Sequence, residues 1–160
     1  MMADILAFIR ESNRIEGILR EPLIVEIEAH KTLLSLSDID VDDLEAFVSA
    51  IAPRHVLRRK VGLNDRDGSH IAPPGGPNIE HQVEALLADL LDGDPYEVHQ
   101  RYEFLHPFTD GNGRSGRALW LWMHDKAGYM ERALSLGFLH LWYYQSLLAA
   151  RTPSLPKTGG

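Results

Sequence analysis

A stretch of twelve residues from His106 to Arg117, reading HPFTDGNGRSGR, constrains this chain more than any other part of its sequence. A helix is predicted to end near His106, and another to begin near Gly113. The segment between them carries a base, an acid, an amide and glycines, and two arginines follow. Such chemistry at the start of a helix predicts a site that binds polyphosphate.

Each polar residue of the stretch has a chemical reason to be there. Gly111 and Gly113 let a ligand approach the backbone, and the free N–H groups at the helix start attract anions. Asn112 can donate to a phosphate oxygen. Arg114 and Arg117 are three apart, so we expect them to share a helix face and reach the same polyphosphate.

The remaining residues supply a metal ligand, a base and an anchor. Asp110 offers the hard oxygen that Mg²⁺ prefers, and His106 is suited to take a proton near neutral pH. Phe108 is expected to fill the core and hold the loop. The alternatives are a structural histidine at a helix end, and a turn or calcium loop; against the latter, Arg114 and Arg117 stand where calcium needs oxygen ligands.

Composition limits the class of protein. The chain has 160 residues, enough for one domain, and its net charge of -7 argues against a broad nucleic-acid surface. It has no cysteine, which excludes disulfides and thiolate metal sites. The apolar run at residues 5–9 is too short to span a membrane and lacks the basic start of a secretion signal, so we expect a cytoplasmic protein.

The apolar pattern predicts a mainly α fold. Caps are expected at Asp40, Asn78 and Asp94, and the apolar run 118–123 predicts a central buried helix. A final helix is expected from about 134 to 150. The cleanest amphipathic stripe comprises Ile79, Val83, Leu86, Leu87, Leu90 and Leu91.

One segment breaks the helical pattern. Between about residues 58 and 77, Asp67-Gly68 is a hairpin-type turn between short apolar runs. The segment is therefore either a two-stranded flap beside the site or a long surface loop.

The stretch from His106 to Arg117 resembles the signature of the Fic domain family, H-x-F-x-[DE]-G-N-[GK]-R-x-x-R, at every fixed position. Weaker similarities extend over about residues 10–147, with a flap at about 58–74 and a closing helix at 142–147. The resemblance implies a compact helical bundle with a small β-hairpin flap, and a single Fic domain over residues 1–152. Residues 153–160 resemble a sortase-type tag.

The resemblance also implies an activity. Most active Fic proteins transfer AMP from ATP to a Ser, Thr or Tyr hydroxyl of a target protein. By resemblance, His106 is the general base, Asp110 holds Mg²⁺, the segment 111–113 cradles the phosphates, and Arg114 and Arg117 neutralise the departing pyrophosphate. The flap residues Val61, Gly62, His70 and Ile71 would dock the target as an added strand.

A second motif, Ser12 to Gly17, resembles the family's inhibitory helix, [ST]-x-x-x-E-[GN], and places that helix at about residues 10–19. The resemblance implies that Ser12, Glu16 and Gly17 form an inhibitory element in which Glu16 pairs with Arg117 and blocks the γ-phosphate. The alternative is an ordinary exposed glutamate on the first helix.

Other functions stay open at this point. Some Fic proteins remove AMP, with the inhibitory glutamate orienting a water, and a nucleotide-binding regulatory module without turnover is a further alternative. Transfer of phosphate is disfavoured because the phosphate-transferring toxins tend to have lysine where Gly113 stands. Self-modification and a homodimer are compatible with the sequence.

Overall fold

Seven α-helices and one hairpin make up residues 2–136, the part of the chain that the computed structural model describes. The mainly helical fold with a small hairpin is confirmed. The predicted closing helix at 142–147, most of the helix predicted over 134–150 and the tail lie outside the described residues. The elements are α1 (Met2–Ile15), α2 (Ile24–Ser35), α3 (Val41–Ile51), β1 (Arg66–Asp67), β2 (His70–Ile71), α4 (Pro77–Ala88), α5 (Pro95–Leu105), α6 (Asn112–Lys126) and α7 (Met130–Leu136).

Local chemistry sets the helix starts. The carboxylates of Asp40 and Asp94 each accept the N–H three residues on, at 2.8 and 3.1 Å, which confirms both predicted caps. The predicted cap at Asn78 is wrong, because α4 already begins at Pro77 behind Gly76. Proline has no N–H to satisfy and a φ suited to the first helical position, so it starts the helix one residue earlier.

Helix α6 is central, as predicted, and two apolar clusters meet on it. Leu119, Trp122 and Met123 pack with α2 to α5, whereas Trp120 and Leu121 pack with α1 and α7. Within residues 2–136, no helix combines the length and apolar character that a membrane crossing needs.

The stripe on α4 is buried except at its end. Leu91 is 61% exposed, contrary to the prediction, because α4 ends at Ala88 and the helical period no longer applies. The buried members are Ile79, Val83, Leu86, Leu87 and Leu90.

The segment before α4 forms a hairpin rather than an irregular loop. Arg66 pairs with Ile71 and Asp67 with His70 in antiparallel register. The turn residues are Gly68 and Ser69, one position later than predicted, and Gly68 supplies a positive φ of 61°. A single β-bridge between Leu57 and Phe108 holds the chain just before the hairpin against the loop between α5 and α6, so the hairpin lies beside that loop.

Candidate active site

The loop between α5 and α6 is held in shape by its own side chains. His106 ends α5 with a left-handed backbone (φ 49°), and Phe108 is buried. The amide of Asn112 accepts from Phe108 N and donates to Phe108 O, both at 2.8 Å. The Asn112 side chain therefore closes the loop, and its donation to a phosphate oxygen stays a prediction.

The start of α6 leaves backbone N–H groups without acceptors inside the helix. Gly111 precedes the helix with a φ of 83°, a conformation that favours glycine, and the first bond within the helix runs from Ser115 N to Gly111 O at 2.9 Å. The N–H groups of residues 112–114 therefore have no acceptor within the helix. They and the helix dipole would favour a bound anion, and phosphate binding at this helix start stays a prediction.

A polar cavity of about 210 Å³ opens at this helix end. A groove of about 500 Å³ between α3 and α4 is larger but contains none of the signature residues, so size alone would misplace the site. The smaller cavity brings together the loop, the flap and the segment after α1. Its lining comprises Glu16, Asp65, Arg66, His106, Thr109, Asp110, Asn112 and Gly113.

The side chain of His106 is 11% exposed and meets the flap. Its Nε2 lies 3.2 Å from Oδ2 of Asp65, which precedes β1. The neighbouring Arg58, which the sequence analysis did not single out, is fully buried and donates to His106 O at 2.7 Å and Leu105 O at 2.8 Å. Arg58 therefore fixes the end of α5 from which the histidine projects.

Arg58 also holds both ends of the flap by hydrogen bonds. Its Nη1 donates to Leu63 O at 3.0 Å and Pro73 O at 2.8 Å, one carbonyl on each side of the hairpin. Burial lowers the pKa of Arg58, and the Asp65 carboxylate opposes that shift. In the sequence Arg58 stands in a run of three basic residues, and nothing local separates it from Arg59 and Lys60.

Asp110 lies at the rim of the cavity, with its side chain 56% exposed. Oδ2 is 3.7 Å from His55 Nε2 and 3.7 Å from Arg114 Nη2. No group of three or more metal-ligating side chains occurs within the described residues. One accessible carboxylate beside an anion-binding helix start suits Mg²⁺, which usually binds one or two carboxylates together with phosphate oxygens and water.

The two arginines of the signature point to different neighbours. Arg114 is buried against the end of α3, where its Nη1 donates to Ile51 O at 2.8 Å. Arg117 is buried against α1, so the structure does not bring both guanidinium groups to one position in the cavity. Three residues apart on a helix are neighbours on its surface, but long side chains can still diverge.

Arg117 contacts the residues of the second motif. Its Nε donates to Ser12 Oγ at 2.7 Å, and its Nη2 donates to Ser12 O at 2.9 Å and to Glu16 Oε1 at 2.8 Å. The helix predicted over residues 10–19 ends at Ile15, so Glu16 lies in a turn. Gly17 has a φ of 76°, which carries the chain away from the helix axis and ends it there.

The segment after Glu16 is anchored at Glu26, a buried residue of α2. Arg20 donates to both of its carboxylate oxygens, at 2.8 and 3.3 Å, and Leu23 N donates at 2.7 Å. Burial would raise the pKa of Glu26, but these hydrogen bonds outweigh it and hold the pKa below its ordinary value.

The four predicted flap residues differ in exposure. Val61 and Ile71 are 85% and 69% exposed, and Gly62 lies in an exposed turn. His70 is buried, and its Nε2 is 2.9 Å from Phe104 O of α5. His70 therefore fastens the hairpin to α5 and is not on the surface that a target could meet.

Comparison with known proteins agrees with the family resemblance of the sequence. Residues 27–124 match the model of the Fic/DOC family. A protein from Nematostella vectensis named protein adenylyltransferase Fic is 35% identical over 66 residues, which cover 36% of this chain and 16% of that relative. The matched region thus spans about a sixth of the relative's length. The Ser12 to Gly17 motif lies outside the residues that match the family model.

Proposed function

The chain belongs to the Fic/DOC family, and we propose that it is a protein adenylyltransferase that moves AMP from ATP to a Ser, Thr or Tyr hydroxyl of a target protein. The observation that carries the proposal is the convergence of His106, Asp110 and the start of α6 on one cavity. These groups correspond to a proton acceptor, a ligand for a hard cation and a phosphate cradle, which nucleotidyl transfer needs. The name of the Nematostella vectensis relative agrees with this reaction.

In the proposed reaction the target hydroxyl oxygen attacks the α-phosphorus of ATP. Its proton passes to Nε2 of His106, and the bond from the α-phosphorus to the oxygen bridging to the β-phosphate breaks, so that pyrophosphate leaves. The N–H groups at the start of α6 bind phosphate oxygens. Asp110 would hold Mg²⁺, which when bound neutralises phosphate charge.

We further propose that Glu16 keeps the enzyme inactive. Arg117 is the cation that would bind the γ-phosphate, and Glu16 now occupies its Nη2. The side chain of Arg117 is 1% exposed and that of Glu16 is 37% exposed, so loss of the contact would remove a charged partner from a buried guanidinium. The inhibited state therefore persists until ATP or another change replaces the carboxylate. The side chain of Arg114 is held against α3 and would support the loop, whereas its backbone N–H would bind a phosphate oxygen.

The test is transfer of label from ATP carrying a radioactive α-phosphate, to the protein itself and to proteins of a cell lysate. Glu16→Gly should label more strongly than wild type, and adding His106→Ala should abolish the label. Glu21→Gly is the matched control, because Glu21 is exposed in the same connecting segment and contacts Arg10, away from the cavity. An unlabelled Glu16→Gly protein that still binds ATP would instead support a nucleotide-binding module.

A second activity is favoured by one observation: Glu16 and His106 line the same cavity. A water held between this carboxylate and the imidazole could attack an AMP-modified side chain and release AMP. Incubating a labelled target with wild type and with Glu16→Gly separates the two activities, because only removal of AMP would require Glu16. Homodimer formation, self-modification, the single domain over 1–152 and a cytoplasmic location stay predictions.

A further inference from the structure

The flap places the carboxylate of Asp65 next to His106, the proposed general base. Oδ2 of Asp65 lies 3.2 Å from Nε2 of His106, and Oδ1 of Asp65 accepts from Arg66 N at 2.8 Å. An ionised carboxylate can only accept hydrogen bonds, so a hydrogen bond between these two atoms requires a proton on Nε2. A protonated Nε2 cannot take a further proton from a hydroxyl.

We propose that Asp65 is a positioning residue that caps His106 until a target strand docks on the flap. The inference rests on the proposed function, because that reaction needs Nε2 as the proton acceptor. Docking then becomes a condition for reaction, and Asp65 helps to determine which hydroxyl is accepted.

The cap and the hydroxyl compete for one position. A general base must lie about 2.6 to 3.2 Å from the proton donor that it serves, which is the distance at which Asp65 Oδ2 now lies. A docked hydroxyl can therefore reach Nε2 only when the carboxylate has left.

The cap can leave without unfolding the flap. The backbone is held by Arg58 at Leu63 O and Pro73 O, and by the hydrogen bond from Ala72 N to Asp65 O at 3.2 Å. The Asp65 side chain is 24% exposed and borders the cavity, so the proposal requires only that this side chain rotates, with the flap backbone in place. Water, which does not dock on the flap, leaves the cap in place, and ATP is thereby protected from hydrolysis.

The first test needs no ATP. Diethyl pyrocarbonate modifies imidazole nitrogens that carry a free electron pair, and peptide mass spectrometry assigns the modified histidine. Asp65→Ala should increase the modification rate of His106 about tenfold, the size expected for loss of a hydrogen bond to a charged group. His81, which is 72% exposed, serves as the internal reference, and Asp38→Ala, a change at an exposed aspartate outside the cavity, as the matched control.

A second variant guards against misfolding. In Asp65→Ser the serine hydroxyl can still accept a hydrogen bond from Arg66 N, but it is too short to reach Nε2 of His106. This variant should therefore also expose His106. An unchanged His106 rate in a folded variant of either kind overturns the capping proposal.

The second test compares two fates of ATP in the Glu16→Gly background. Asp65→Ala should raise release of AMP to water relative to transfer onto protein. A fall in both rates would mean that Asp65 assists the base, and would overturn the proposal. If no variant consumes ATP, the proposed function and the specificity role fail, whereas the reagent test still decides whether Asp65 caps His106.

Discussion

Gly113 leaves the space that the Glu16 carboxylate occupies. A Cβ placed on Gly113 would lie 2.3 Å from Glu16 Oε1, and 3.0 and 3.3 Å from the two terminal nitrogens of Arg117. Gly113 is the second residue of α6, so alanine suits its backbone and should strengthen the helix by up to about 1 kcal/mol. Gly113→Ala should therefore expel the glutamate while both charged residues are retained.

The size of the effect follows from that contact. Ordinary van der Waals contact begins near 3.4 Å, so Oε1 must retreat by about 1 Å from a hydrogen bond that is now 2.8 Å long. A hydrogen bond to a charged group contributes about 1.5 to 3 kcal/mol, and the lower end applies because the Glu16 side chain is 37% exposed. A loss of about 1.4 kcal/mol raises the uninhibited fraction about tenfold.

The assay is the initial rate of transfer from α-labelled ATP for wild type, Gly113→Ala, Glu16→Gly and the double variant. Gly113→Ala should transfer label about tenfold faster than wild type. The double variant should be no faster than Glu16→Gly, because both changes remove the same contact between Glu16 and Arg117. A folded Gly113→Ala protein with the wild-type rate would refute the reasoning. A double variant slower than Glu16→Gly would show that the added methyl also obstructs the phosphates.

Three further predictions concern other parts of the molecule. Burial lowers the pKa of His30 to about 4, whereas an unfolded histidine titrates near 6.5. The unfolded state therefore binds the proton first, and stability that is complete above about pH 6.5 should fall by roughly 3 kcal/mol as the pH drops to about 4. Urea unfolding across this range would measure the loss, and His30→Leu should flatten it. Ser12→Ala removes an acceptor from Arg117 and should lower the unfolding free energy by about 1 to 2 kcal/mol while raising labelling; unchanged values in both measurements would contradict the contact. Asp110→Asn should raise the Mg²⁺ concentration for half-maximal labelling, and an unchanged titration would exclude Asp110 as the ligand.

Features set by neighbouring residues could be predicted from the sequence. The caps at Asp40 and Asp94 depend on groups two or three positions away, and the buried character of α6 follows from its unbroken apolar run. The wrong cap at Asn78 also has a local cause, because the neighbouring Pro77 already occupies the first helical position of α4.

Features set by distant contacts could not be predicted. The contact between Asp65 and His106 forms only because the hairpin folds back on the loop between α5 and α6. The same folding brings Arg58 to four carbonyl groups, those of Leu63, Pro73, Leu105 and His106. The sequence predicts Asn112 as a phosphate donor but not its bond to Phe108, because that bond depends on the closed shape of the loop. The resemblance suggested that Glu16 would pair with Arg117, and that prediction depended on a family pattern, not on spacing.

The carbonyls bound by Arg58 define where the flap could be exchanged. Leu63 O and Pro73 O bracket the hairpin, and both are held by the arginine that also fixes the backbone of His106. Residues 64–72 thus form a segment whose exposed positions can change while its two ends stay attached to the loop between α5 and α6. His70, which is buried and contacts Phe104 O, would be kept. Within such a segment, an engineer seeking new targets could vary the exposed Ile71 freely but would have to choose the residue at Asp65 deliberately.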